Sequence, residues 1–147
     1  MADVVDKATR SRMMAGVRGK DTAPELVLRR ALHAQGFRFR LHDRALPGRP
    51  DIVLKRYNAV ILVHGCFWHR HSGCRFATTP ATRTEFWRVK FDGNVDRDAR
   101  DIEQLLALGF RVAVVWECAL KPARRESTTK LVSEWIRSGD RQFNSAP

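Results

Sequence analysis

The sequence predicts a single α/β domain, a mixed central sheet flanked by helices, carrying a structural zinc site. Three observations support this. A chain of 147 residues fits one ordinary core. Its periodic segments run helix, hairpin, helix, strand, helix, an order that buries a sheet between helices. Its three cysteines are spaced as a loop pair and a distant clamp around one metal. The 44% apolar content suits a folded chain, and no repeat or linker divides it.

Residues 6–20, DKATRSRMMAGVRGK, set Lys7, Arg10, Arg12, Arg18 and Lys20 around Met13, Met14 and Val17. That pattern is a basic amphipathic arm suited to a phosphate backbone. Residues 1–20 are therefore read as an arm, 21–140 as the folded domain and 141–147 as a frayed tail.

Thr22 with Glu25 forms a capping box and Pro24 fits a first turn, so a helix is expected through ELVLRRALHAQ to Gly36. Glu25 shares a side with Leu28, Ala31 and Leu32, which makes it either a buried site residue or a cap. Pro50 keeps the PGRPD turn extended, and it feeds a hairpin of IVLKRY and AVILVHG around Asn58. Thr82 with Glu85 caps a long helix from Arg83 to Leu108, which Gly93 is expected to bend or weaken. After Gly109 come the strand FRVAVVWE and a helix through KLVSEWIRS.

Lys and Arg number 27 against 16 acids, a net charge of +11 and a pI near 10.7. Such a surface favours a polyanionic partner, nucleic acid first, although basicity also serves solubility. The opening MADVVDKATRSRMM has no apolar signal core, and the longest apolar run, Ala59 to Val63, falls far short of a membrane span. A cytoplasmic protein with no membrane association is expected.

HGCFWHRHSGC packs His64, Cys66, His69, His71 and Cys74 into residues 64–74, and Cys118 ends the later strand. Three thiols and one histidine make a structural zinc set, the alternative being buried reduced thiols. Spacing leaves His69 and His71 competing for the fourth place, and whichever is free can act as a general base. Phe67 and Trp68 lie among these ligands, either filling a local core or wedging between bases. Asp51 begins a strand whose hairpin partner ends at His64, which brings it near Val63 and His64. There it is either a turn former or a magnesium ligand.

The strings PGRPD, HGCFWH, ATRTEFW, NVDRD and VWECAL, with the opening DKATRSRMM, closely resemble the very short patch repair (Vsr) DNA mismatch endonucleases across nearly the whole chain. The resemblance implies a fold similar to type II restriction endonucleases and a structural zinc. It also implies Mg²⁺-dependent cleavage 5′ to the mispaired T of T·G mismatches, which arise when 5-methylcytosine deaminates. Asp51 would ligate Mg²⁺ with the backbone carbonyl of Val63, Glu25 and His64 would hold its waters, and His69 would be the general base. Zinc would be held by Cys66, His71, Cys74 and Cys118. Phe67, Trp68 and Trp87 would wedge from the major groove while Met14 approaches the minor groove, and Asn94 and Asp98 would support the site. The implied setting is a bacterial nucleoid, a monomer and a possible MutL-like partner.

Two departures stand out. Val63, His64 and Gly65 occupy the place where many restriction-like nucleases carry acid-x-Lys, a substitution the resembling family shares. Ser72 and Gly73 make the zinc loop one residue longer than the usual pattern. The rival readings are a zinc-stabilised DNA-binding module without catalysis and a nickase of another mismatch or sequence context.

Overall fold

The computed structural model describes residues 21–145. Helix α1 (Ala23–Ala34) turns Leu28 and Leu32 inward and stops at Gln35, where Gly36 takes φ +94. A short strand β1 (Arg40–Leu41), not anticipated from sequence, then pairs antiparallel with β2 (Ile52–Leu54). β2 turns through a 3₁₀ segment and the left-handed Asn58 into β3 (Ala59–His64). A left-handed residue suits Asn, whose short polar side chain tolerates positive φ and here donates to Gly109 O.

β3 runs parallel to β4 (Arg111–Trp116), with Ala59 opposite Arg111 and His64 opposite Trp116. A parallel pair needs a long crossover, and α2 (Thr84–Ala107) supplies it. Both strands are nearly continuous apolar runs because both faces are covered. Ala59 and Ile61 join a core under α1 and α3 (Arg125–Arg137), while Val60 and Leu62 join a second core with Leu105 of α2. The result is a three-layer α/β domain with one five-stranded mixed sheet, ordered β1-β2-β3-β4-β5.

Two expectations need correction. Residues 141–145 of the expected tail are not frayed: Gln142–Asn144 form β5, parallel to β4, because Val112 and Val114 leave backbone groups that Arg141 and Ser145 satisfy. The capping box at Thr22 does not form. Thr22 makes no side-chain cap bond, and Glu25 instead accepts the Asp21 N–H and pairs with Arg29. α2 starts after a left-handed Arg83 while Glu85 pairs with Arg88 one turn on. α2 runs on through Gly93.

Arg111 ties these layers together. Its guanidinium donates to the carbonyls of Asp140, Tyr57, Ile136 and Trp135 and lies 4.6 Å from the Trp135 ring centroid. It thereby satisfies the α3 C-terminus, whose last carbonyls have no helical partner. Arg111→Ala is expected to cost about 2–4 kcal/mol, since several part-buried carbonyls lose a charged donor. Urea denaturation measures it, and a loss within experimental error would remove Arg111 from this role.

Candidate active site and metal cluster

The C-terminal end of β3 carries the first group of site residues. The Val63 N–H donates to Asp51 Oδ2 at 2.6 Å, as the hairpin register requires. From the α1 side comes the buried Glu25, whose Oε2 lies 3.1 Å from His42 Nε2 and 3.0 Å from the Arg29 guanidinium. His42 Nε2 also lies 3.9 Å from Asp51 Oδ1, so it stands between the two carboxylates. Burial pushes the Asp51 carboxyl up to about 7, with the charge and hydrogen bonding of Glu25 adding to it against the Val63 N–H and Arg29. Two crowded, dehydrated carboxylates call for a proton or a cation. The donor set of hard oxygens fits a divalent cation of the magnesium kind.

His64 follows Val63 and faces the α2 side of the sheet. Its ring stacks on His69 at 4.0 Å, and His69 Nδ1 meets Asp98 Oδ2 of α2 at 2.6 Å. A carboxylate on Nδ1 holds that nitrogen as the donor and leaves Nε2 of His69 free to accept a proton. Burial lowers His64 to about 3, helped by the charge of His69 and opposed by Asp98, so His64 is neutral at working pH. Asn94 does not touch these rings. Its Nδ2 donates to Trp68 O at 3.0 Å and so holds the loop that carries His69.

Cys66, His71, Cys74 and Cys118 converge, with one ligand atom from each within 4.8 Å of the others, and could hold a metal. His71 Nδ1 is the inward nitrogen, 3.6 Å from Cys66 Sγ and 3.4 Å from Cys118 Sγ. The geometry separates the two histidines: His71 joins the thiols and His69 joins Asp98. Burial pushes the Cys66 thiol up to about 12 and raises Cys118 as well. Trp116 stacks on His71 at 4.2 Å and meets His64 edge-on at 5.2 Å, joining the thiol cluster to the histidine pair. The β5 segment holds this ring in turn, through Ser145 Oγ to Trp116 N and Asn144 Oδ1 to its indole N–H.

Phe67, Trp68 and Trp87 form an aromatic group over the buried Phe91, with centroid separations of 4.9 to 6.0 Å. The group belongs to neither sheet core. Phe67, Trp68 and Trp87 are half-buried, and Phe86 beside them is exposed. Met14 and the basic arm lie outside the described residues.

The family model for the DNA mismatch endonuclease Vsr matches residues 2–75. The DNA mismatch endonuclease Vsr of Escherichia coli K12 is 52% identical over 139 residues, covering 92% of this chain and 88% of that protein. The chain belongs to the Vsr DNA mismatch endonuclease family. Two type II nicking enzymes are also similar. V.NmeAIP of Neisseria meningitidis is 42% identical over 91% of this chain and 96% of its own. V.XorIIP of Xanthomonas oryzae is 48% identical over 82% and 88%. As a Vsr family member this chain is an endonuclease of DNA mismatch repair with DNA as its substrate, which accounts for the net charge of +11. Among the described residues no helix is long and apolar enough to cross a membrane.

Sequence reasoning passed over His42, Arg29 and Trp116. Arg29 was detectable, since it lies one turn after Glu25 on the same helix. His42 and Trp116 were not, because each acquires its neighbours only through sheet pairing.

The Asp51 shift has a measurable consequence. Its folded value of about 7 stands above the ordinary 3.8, so its contribution to stability is fully present below the unfolded value and is lost as pH rises through 7. Asp51→Asn removes that loss. In buffer without added divalent ion, the stability of the variant relative to wild type is expected to improve by about 2 kcal/mol between pH ~5 and ~8. Urea titrations at both pH values measure the change, and a constant difference would place the buried charge on another group.

Proposed function

We propose that this protein nicks duplex DNA 5′ to the mispaired T of a T·G mismatch, starting very short patch repair of deaminated 5-methylcytosine. The observation that supports the chemistry most directly is the Asp98–His69 pair, 2.6 Å apart, on the same strand end as Asp51. In this reading Nε2 of His69 takes the proton of the attacking water while Asp98 fixes the ring and stabilises its charged form. His64, neutral and stacked on His69, keeps that ring in place. Asp51 and the Val63 carbonyl would hold Mg²⁺, and Glu25 and His64 would hold its bound waters. Bound there, Mg²⁺ would polarise the scissile phosphate and offset charge on the leaving oxygen.

The remaining parts follow from the same reading. Cys66, His71, Cys74 and Cys118 hold a structural zinc on a restriction-endonuclease-like domain. Phe67, Trp68 and Trp87 wedge into the base stack, where a mismatch costs least to open. Residues 1–20 with Met14 lie along the minor groove. The protein works as a cytoplasmic, nucleoid-associated monomer, with a MutL-like repair protein as a partner. A second reading, a nickase tied to another sequence context, draws on the relatives named type II nicking enzymes.

A strand-resolved nicking assay on duplexes with T·G, other mismatches or none tests this. Nicking of the T strand is expected with Mg²⁺, with no nick when Mg²⁺ is withheld. Asp51→Ala should abolish nicking with DNA binding retained, and His69→Ala should slow it about 10²–10⁴-fold. Mismatch binding without nicking in any context would instead favour a non-catalytic module.

Zinc makes its own prediction. With Cys66 pushed up to about 12 in the metal-free cluster, metal must displace thiol protons. Purified protein is expected to carry one zinc per chain, to lose it as pH falls, and to melt lower after chelation or Cys118→Ser. A melt unmoved by chelation would leave the thiols as plain core residues.

A further inference from the structure

Arg70 stands between the two loop histidines, in a left-handed conformation at φ +55. Non-glycine residues enter that region at a cost, so the surroundings must hold it there. Its guanidinium donates to Phe67 O at 3.2 Å, Thr78 O at 2.8 Å, Ala77 O at 3.1 Å and Thr79 Oγ1 at 3.0 Å. It also lies 4.1 Å from the Phe91 ring centroid and 5.8 Å from that of Phe67. One side chain therefore ties three pieces together: the aromatic turn, the irregular segment after the thiol cluster, and Phe91 of α2.

The sequence around it explains why such a tie is needed. Between Cys74 and the start of α2 at Thr84 no strand or helix forms, so nothing periodic holds residues 75–83 against the aromatic turn. Gly73 takes φ +70 with nothing near the position of an added Cβ, so the cluster loop itself bulges outward there. A planar guanidinium with a fixed fork of donors can satisfy several carbonyls at once and stack on an aromatic ring, which an ammonium cannot do. Asn94 holds the same turn from the other side, through Trp68 O.

We propose that Arg70 is a positioning residue for mismatch recognition. It fixes the angle at which Phe67 and Trp68 stand on Phe91, so that the aromatic edge meets the base stack already arranged. The proposal rests on the wedge reading above. It assigns Arg70 no contact with DNA and no part in the proton transfer. Preorganisation of this kind lowers the ordering cost of binding, and its loss shows in discrimination between mismatched and matched DNA rather than in attraction to the phosphate backbone.

The test is a double-mutant cycle on full-length, zinc-loaded protein with Arg70→Asn, Trp68→Ala and the pair. Asn tolerates the left-handed backbone, so the change isolates the guanidinium, and Arg70→Lys asks whether charge alone suffices. Zinc content and melting curves show whether each variant is folded and loaded. Binding to T·G and matched duplexes, at two salt concentrations, is the main measurement. The fluorescence of 2-aminopurine beside the mismatch reports unstacking. For Arg70→Asn the preference for T·G over matched duplex is expected to fall about tenfold, in step with the 2-aminopurine signal, as several charge-assisted bonds are lost. Matched-duplex binding and its salt dependence should stay within about twofold. Lys should recover little of this, and Trp68→Ala with Arg70→Asn should be no worse than Trp68→Ala alone. If Arg70→Asn weakens both duplexes equally and flattens the salt dependence, Arg70 is a phosphate contact and the proposal is wrong. It is equally wrong if the two substitutions multiply, or if Lys restores full preference. Should Arg70→Asn not load zinc, Arg70→Lys alone decides: wild-type preference from a folded Lys variant overturns the proposal. Failure of the wedge reading is seen separately, as unchanged preference in Trp68→Ala.

Discussion

The parallel pairing of β3 with β4 is the constraint on which the rest of the molecule depends. It sets His64 beside Trp116 at one end of the sheet. Everything chemically notable then hangs from that end: Asp51 through the Val63 N–H, His69 through the loop that follows β3, and Cys118 through the turn that follows β4. Parallel strands align their carboxyl ends by construction, and in open α/β sheets sites gather in that crevice. Antiparallel pairing of the same two strands would place the two loops at opposite ends and separate Cys66 from Cys118.

Two kinds of donor occupy this end without mixing. Carboxylates and a backbone group collect around Asp51 and Glu25, where Arg29 tempers the negative charge and His42 hydrogen-bonds Glu25. Thiols and His71 Nδ1 collect behind Trp116. Hard oxygens and soft sulfurs select different metals, so one loop can be braced by one ion while chemistry uses another. The stacked rings of His64 and His69, and the Trp116 ring that touches both His64 and His71, form the boundary between them. A shift of the thiol cluster would thus reach His69 through packed rings rather than through a flexible linker.

Much of this was legible in the sequence, and the parts that were not share a cause. The helices through Leu28 and Leu32, through Leu105 and through Val132 and Ile136 follow from periodicity, and β3 and β4 follow from apolar runs bounded by turns. The cysteine spacing pointed to a metal cluster, and the reach of Asp51 to Val63 followed from a hairpin register. Local motifs misled where a tertiary partner outbid the local one. Glu25 looks like a capping residue, yet Arg29 and His42 claim its carboxylate. The segment around Phe143 shows no pattern because three residues are too few for a period, while pairing with the edge of β4 and packing of Phe143 on the core order it. Choosing between His69 and His71 required knowing that Asp98 of α2 comes within hydrogen-bonding reach, which sequence spacing does not encode.

The terminal strand carries a functional implication that its sequence hides. β5 covers the edge of β4, and just beyond it Ser145 and Asn144 hold Trp116 by its backbone and its indole. Arg124 adds a bond to Ser145 O and lies 3.8 Å from Cys118 Sγ. Trp116 is the ring through which the thiol cluster meets His64, so Asn144 and Ser145 support this end of the sheet through Trp116. Edge protection and support of the site are here one arrangement: a strand that paired elsewhere would expose β4 and release Trp116 together. The order of the sheet edge and the setting of Trp116 are therefore coupled through β5 and Ser145, where sequence pattern alone would place neither.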